Sequence, residues 1–410
     1  MTNDTLPRDH DLADLQATAR AFANERIAPH AEALDAQARF PYEIIAELGE
    51  LGFMGITVPE EYGGGGLGAL ALAVVLEELA RVDSSVAVTV SAHTTLGTMP
   101  IAWFGTDVQK ARFLPDLAAG RRLGAFALTE PGCGSDAAAV ETSASWDGTN
   151  WTLSGQKMFI TSAGTKITGS AITVARSAKG EITTFIVPAD SPGYLPGAPL
   201  RKVGWRASDT RPLMLDQVVI GDELRLSDRG EGLRQTFSAL AVGRIGLAAM
   251  GVGLAQGALD LALAYTQKRW AFGRPLSGHQ AVQFQLAEMA TEITAARCLL
   301  HHTARLKDAG EAFATEAAMS KLVAGRLGQT VAERSLHLHG GYGWMEESPI
   351  ARLYRDAKVL EIGEGTTEVQ KMVIARALGA VGDHVSTVGA PAPELGARTV
   401  TSEHRGGVGL

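Results

Sequence analysis

The hydrophobic period of this chain changes twice, and that constrains its fold more than any other feature. Helix faces recur every ~3.6 residues and strand faces every two, so a change of period marks a change of element. From Asp11 to Arg121 the spacing is helical. Leu12, Leu15, Ala19 and Phe22 form one stripe. Ile44, Ile45, Leu48 and Leu51 form a second, after Pro41, a residue suited to a helix start. Residues 70–81 and 86–104 read as buried helices, beyond the glycine loop at 61–66.

From 123 to 221 the texture turns to strand. Runs at 126–129, 151–153, 157–160, 171–174 and 183–187 are short and rich in β-branched and aromatic residues. Turn signals such as Asp147-Gly148, Ser154-Gly155 and Ser191-Pro192-Gly193 separate them. From 231 to 381 the period is helical again, with long stretches at 245–265, 280–308 and 311–339 that are apolar over much of their surface. That pattern predicts a four-helix bundle. The expected fold is therefore α+β. A helical N-terminal domain (1–122) precedes a middle antiparallel β domain (123–230), and a C-terminal four-helix bundle (231–381) follows. Residues 382–410, rich in Gly, Ala, Pro, Ser and Thr without apolar periodicity, are expected to be a disordered tail. No strand–helix alternation of a Rossmann kind is visible. Gly251-Val252-Gly253 lies inside a helical pattern and is not a dinucleotide fingerprint.

Composition narrows the partners. With a formal net charge of −8, the chain lacks the concentrated Lys and Arg that nucleic acid requires. A local cluster of Arg and backbone N–H groups can still hold an anionic ligand. The two cysteines, Cys133 and Cys298, form no CxxC, which excludes a zinc ribbon, and no metal site is expected. A cysteine-poor chain fits a reducing cytoplasm. The apolar window 67–79 is too short to span a bilayer and contains Glu77 and Glu78, so a soluble cytoplasmic protein is expected.

Five segments have residue types suited to chemistry. Thr129-Glu130-Pro131-Gly132-Cys133-Gly134-Ser135-Asp136 ends a strand in a loop whose N–H groups suit an oxygen-rich ring or a pyrophosphate. Phe159-Ile160-Thr161-Ser162 offers an aromatic for stacking beside hydroxyls. Arg269-Trp270-Ala271-Phe272-Gly273-Arg274, followed by His279-Gln280, can clamp a phosphate and stack a base. In His337-Leu338-His339-Gly340-Gly341-Tyr342-Gly343 the two His are two residues apart, off a common helix face, so close backbone approach is the more natural use. Glu364 stands between Gly363 and Gly365, where a carboxylate can reach a cavity, and Thr366 or Thr367 suits the cap of a following helix. Each segment has a plainer reading as a turn or core element, and spacing alone does not decide among them.

Taken in order, these blocks resemble the acyl-CoA dehydrogenase family, in particular its short-chain branch. The similarity runs from about residue 10 to about residue 380 and includes 202–210, Gly243-Arg244-Ile245 and Arg355-Asp356. It implies FAD as cofactor, with Phe126, Leu128, Thr129, Gly134 and Ser135 lining the flavin and Phe159 and Thr161 touching its ring. Arg269, Phe272, Gln280, His337 and Gly341 would hold its adenine and pyrophosphate across a subunit boundary, in a homotetramer. Thr366 and Glu368 would flank the cofactor. Ser135, Arg244, Gly365 and Arg376 would meet the acyl-CoA.

The resemblance further implies that Glu364 removes the α proton of an acyl-CoA thioester. The β hydride would pass to flavin, giving a trans-2-enoyl-CoA within β-oxidation, and the electrons would go on to electron-transfer flavoprotein. Burial should raise the Glu364 pKa toward neutrality. In two places the chain departs from the family pattern. His337 replaces a usual Gln, and Gly363 replaces a frequent aromatic, leaving more room beside Glu364. A minority branch places its base where Gly243 stands, and glycine cannot serve. His93 and Thr94 are expected to make a polar or shallow pocket floor, favouring short chains. The alternatives are the same chemistry on a carrier-protein-bound acyl group, an oxygen-using flavoenzyme on this fold, and a non-catalytic acyl-CoA-binding scaffold.

Overall fold

The computed structural model describes residues 9–380; the expected tail at 382–410 lies outside them. Seven helices come first: α1 (Asp9–Phe22), α2 (Ala28–Gln37), α3 (Tyr42–Glu50), α4 (Ala69–Val82), α5 (Ser84–Ser91), α6 (Met99–Phe104) and α7 (Asp107–Ala118). The stretch 86–104, expected as one helix, is broken. A π-helical segment, Ala92–Thr98, separates α5 from α6. The break coincides with close packing. A β-carbon on Gly97 would stand 2.4 Å from the Gly124 carbonyl, so helix and strand backbones meet directly here. Pro100, in the first turn of α6, suits a fresh helix start.

The middle of the chain forms a seven-stranded sheet: β1 (Leu123–Ala127), β2 (Ser143–Trp146), β3 (Asn150–Thr161), β4 (Thr168–Ala178), β5 (Glu181–Pro188), β6 (Tyr194–Pro196) and β7 (Thr210–Gly221). Most ladders are antiparallel, as expected, but β1 and β2 both run parallel to β4. The runs 151–153 and 157–160 belong to one strand, β3. Its ladder with β7 is irregular between Lys157 and Ile160, which is where Phe159 takes a left-handed φ of 61°. Trp151 and Phe185 anchor the core, with ring centroids 5.1 Å apart.

The third unit is helical: α8 (Gly232–Lys268), the short strands β8 (Trp270–Ala271) and β9 (Arg274–Pro275), α9 (Gln280–Asp308), α10 (Ala314–His339), α11 (Pro349–Ala357) and α12 (Thr367–Ala377). Among the described residues one helix, α8, is long and apolar enough to cross a membrane, and 89% of its most apolar window is buried inside the molecule. The glycines of Gly251-Val252-Gly253 serve helix packing. A β-carbon on Gly251 would lie 2.6 Å from the Ala324 carbonyl of α10, and one on Gly253 would lie 2.2 Å from the Glu77 carbonyl of α4.

Candidate active site

Folding brings the sequence blocks together in pairs. The first pair is the loop after β1 and the kink in β3, joined where the Met158 N–H donates to the Thr129 carbonyl at 2.8 Å. Beneath them lies a fully buried ion pair. Lys157 Nζ donates to Glu130 Oε1 at 2.7 Å and to the Val174 and Leu128 carbonyls at 2.7 and 3.1 Å. Glu130 also accepts the N–H groups of Glu141 and Thr142. Burial by itself would raise the Glu130 carboxyl, but Lys157 and these donors hold it below the ordinary range.

Above this support the loop faces open space. Gly134, Ser135 and Asp136 are exposed, and a β-carbon on Gly132 or Gly134 would meet nothing within 4 Å. Phe159 is 63% exposed in its left-handed conformation. A bulky residue in that conformation carries backbone strain, which the surrounding structure must hold in place. Phe126, Thr129 and Thr161 are half-buried and Leu128 is buried. An exposed aromatic beside an exposed glycine-rich loop fits a planar, oxygen-rich ring such as a flavin.

The second pair joins the β domain to the bundle. The Trp205 N–H, in the 202–210 block, donates to Asp356 Oδ1 at 2.6 Å. Asp356 is fully buried, and burial, reinforced by the nearby Asp83 charge, pushes its pKa up to about 7.

The third pair lies on the outer surface. The Arg269 guanidinium stands 6.0 Å from the Tyr342 ring centroid, beside Gly340 and Gly341. Phe272 is 96% exposed with a left-handed φ of 53°. His279 Nε2 is 3.1 Å from the Ala271 carbonyl, holding the β8–β9 hairpin against the start of α9. Gln280, His337 and Gly341 are exposed nearby in sequence. His339, the other half of the histidine pair, is instead buried and stacked on Tyr265, with centroids 4.4 Å apart.

The fourth pair is Gly243-Arg244 on α8 with Glu364. Glu364 (φ 52°) and Gly365 (φ 93°) make a left-handed turn before α12, whose first N–H groups are capped by Thr366, accepting from Val369 N–H at 3.3 Å. The turn points the carboxyl at α8, and a β-carbon on Gly243 would lie 2.1 Å from Glu364 Oε2. The residue as a whole is half-buried, but that oxygen is sealed from solvent and has no hydrogen-bond partner in the protein. Burial pushes the Glu364 pKa up to about 7, against the opposing positive charges of Lys321 and Arg244. Arg244 is buried with its Nε unpaired, and Arg376 on α12 has a sealed, unpaired Nη2. Glu368, in the first turn of α12, is exposed.

Three residues of this region had no role in the sequence reading. Lys321 Nζ donates to the Gly365 carbonyl at 2.5 Å, and Gln370 Nε2 donates to the same carbonyl at 2.8 Å. Lys157 completes the third. Lys321 had left a signal: it falls on the Ala317, Ala324, Val331 stripe of α10, where a charged residue is out of place. The expectation for His93 and Thr94 is corrected. The buried His93 ring accepts from Gly124 N–H and meets the Leu117 carbonyl, each at 3.0 Å, and Thr94 Oγ1 donates to the Val90 carbonyl at 2.8 Å. Their polar atoms are spent on backbone, and burial lowers the His93 pKa to about 4, so the ring is neutral structural mortar.

Three family models match in order: the acyl-CoA dehydrogenase N-terminal domain over residues 9–121, the middle domain over 125–218 and the C-terminal domain over 230–379. The chain belongs to the acyl-CoA dehydrogenase family. It is 42% identical to a probable acyl-CoA dehydrogenase of Bacillus subtilis, over 87% of this chain and 95% of that one. It is 41% identical to the mitochondrial short-chain specific acyl-CoA dehydrogenase of Bos taurus, over 90% of each. The solved butyryl-CoA dehydrogenase of Megasphaera elsdenii superposes with a TM-score of 0.88 at 38% identity, covering 92% of this chain and 99% of that one. Acyl-CoA dehydrogenases are FAD-dependent oxidoreductases, and the open face at Phe159 and Gly134 fits that cofactor.

Proposed function

We propose that the chain dehydrogenates a short or branched acyl-CoA to its trans-2-enoyl-CoA, with Glu364 as the base and electron-transfer flavoprotein as electron acceptor. One observation carries the reading: a sealed, unpartnered carboxylate oxygen, poised to titrate near pH 7, lying in the space left by the missing side chain of Gly243. A base with a pKa near the working pH is both largely ionised and still basic enough to take a weakly acidic α proton.

The chain's residues position and exclude. Glu364 receives the proton on its free Oε2, inside a water-poor site where its charge is unscreened. Arg244, buried with an unpaired Nε, offers a donor to the thioester's CoA portion, as does Arg376. Ser135 and the Gly365 backbone complete the substrate side. Phe126, Leu128, Thr129, Gly134, Ser135, Phe159 and Thr161 cradle the flavin, flanked by Thr366 and Glu368. Bound FAD supplies the hydride acceptor. Arg269, Phe272, Gln280, His337 and Gly341 serve the FAD of a neighbouring subunit in a homotetramer, a reading supported by the exposure of Phe272 on one chain. We read Gly363 as favouring short or branched acyl groups, because it puts no side chain beside the base where a β-carbon would be tolerated, with ordinary contacts at 3.6 and 3.9 Å. Unpaired cysteines at 133 and 298 fit a cytoplasmic setting.

The test is anaerobic addition of butyryl-CoA to the purified holoprotein. Flavin absorbance near ~450 nm should bleach. In Glu364→Gln the FAD should remain and the bleaching should fall at least about 100-fold. Full-rate bleaching in that variant would refute Glu364 as the base. No bleaching with short, branched or carrier-linked acyl groups would refute the chemistry.

A further inference from the structure

The loop bearing Glu364 is held from behind by groups that do not touch the reacting atoms. Lys321, on α10, is 2% exposed, and its ammonium donates to the Gly365 carbonyl at 2.5 Å. Gln370, on α12, donates to that same carbonyl at 2.8 Å and lies 3.5 Å from the Glu364 carbonyl. The turn between them is left-handed at both residues, and at Glu364 that conformation costs a side-chain-bearing residue energy. A strained turn persists only where its surroundings determine it. Here the determining contact is a charge-assisted hydrogen bond, the stronger kind. Burying an ammonium is costly, and a purely structural helix would place an apolar side chain at this position.

We propose that Lys321 is a positioning residue for the Glu364 base, locking the 364–365 turn through the Gly365 carbonyl and setting the carboxyl's charge balance from behind. This rests on the reading of Glu364 as the base. Two roles follow from one contact. The hydrogen bond fixes where the carboxyl points, toward Gly243. The positive charge favours the ionised carboxylate, opposing the burial that raises its pKa. Lys321 in turn loses proton affinity through burial, to a pKa of about 8, while the Glu364 charge pulls it back up. Each charge therefore favours the ionised form of the other.

The experiment compares wild type, Lys321→Met and Lys321→Arg as FAD-loaded enzymes. Three quantities are read: FAD content, affinity for a non-oxidisable acyl-CoA thioether, and the pH profile of flavin reduction by butyryl-CoA. Lys321→Met is expected to keep FAD and thioether binding. Its reduction rate should fall about tenfold or more, and its pH midpoint should rise by about one unit, as expected when a nearby positive charge is removed. Lys321→Arg should restore the midpoint but not the full rate, because the charge stays while the donor geometry changes. A wild-type rate and midpoint in Lys321→Met would overturn the proposal. So would a slowed rate with an unmoved midpoint, since that is the mark of general loosening. Should the Met variant fail to fold, Lys321→Gln is read in its place: a slowed rate with a raised midpoint, FAD and thioether still bound, supports the proposal, and a wild-type rate or an unmoved midpoint overturns it. Residual full activity in Glu364→Gln would instead remove the base reading, a distinguishable failure.

Discussion

Gly243 and Glu364 are matched in shape: a β-carbon on the helix residue would stand 2.1 Å from the carboxylate Oε2 of the loop residue, and 3.3 Å from Leu96 Cδ2. The missing side chain on α8 is the space in which the carboxyl lies. Gly243→Ala must therefore displace the Glu364 head group. Alanine favours helix by up to ~1 kcal/mol over glycine, so the fold should persist. The expected result is unchanged or higher Tm, retained FAD and flavin reduction slowed about tenfold to 100-fold, since small misplacements of a reacting group are costly. Stopped-flow absorbance and a thermal melt check it.

Glu364 should also set the pH response of the reaction. Its pKa of about 7 in the folded protein means the carboxylate population grows as pH rises through neutrality. Flavin reduction at saturating butyryl-CoA should climb through a midpoint near 7 and level off above it. A rate flat from pH 5.5 to pH 8.5, read by rapid mixing at about half-unit steps, would count against Glu364 as the titrating group.

Asp356 should govern part of the pH dependence of stability. Its carboxyl moves from an ordinary 3.8 to about 7 on burial. The folded state thus binds the proton more tightly than the unfolded one. Stabilisation from that proton is complete below the unfolded value and is lost as pH rises through about 7. Tm should decline between pH 5 and pH 8, and Asp356→Asn, which keeps an acceptor for the Trp205 N–H, should flatten that decline. Differential scanning calorimetry across the range is the measurement.

Lys157→Met should leave Glu130 charged and buried without its cation, held only by the Glu141 and Thr142 N–H groups. Breaking a buried pair from one side costs roughly 3–5 kcal/mol. The loop at 129–136 would lose its support, so urea stability and FAD affinity should fall together. Adding Glu130→Gln should recover much of the stability, because no lone buried charge remains. Equal stability in the single and double variants would contradict this account.

Gly363→Tyr should narrow the space beside the base. Its β-carbon would fit, with nearest contacts of 3.6 and 3.9 Å, so the protein should fold and bind FAD. Discrimination should shift against branched acyl-CoA by about 10-fold to 200-fold relative to the linear substrate, the scale on which pockets sense a methyl group. Ratios of kcat/KM for the two substrates test it.

The order helix, strand, helix was legible from period alone, because burial of one face imposes a 3.6- or two-residue repeat wherever an element packs against a core. Helix α9 occupies Gln280–Asp308, the very residues its period marked. Glu364 stood out as a carboxylate between glycines, and the ordered blocks carried the family resemblance. Other features had no local signature. The break in 86–104 falls where the Gly97 and Gly124 backbones meet, and β7 was hidden by Pro212 and the polar Asp216-Gln217 pair. His93 looked like pocket lining until its ring was seen bridging Gly124 and Leu117. The same holds for the site: Gly243, Lys321 and Gln370 converge on the 364–365 turn from three helices. A sequence records each residue's chemistry and its place in a repeat. Which distant residue faces it, at what distance and away from water, is settled only when the elements pack, and that packing gives a plain glutamate a pKa near 7.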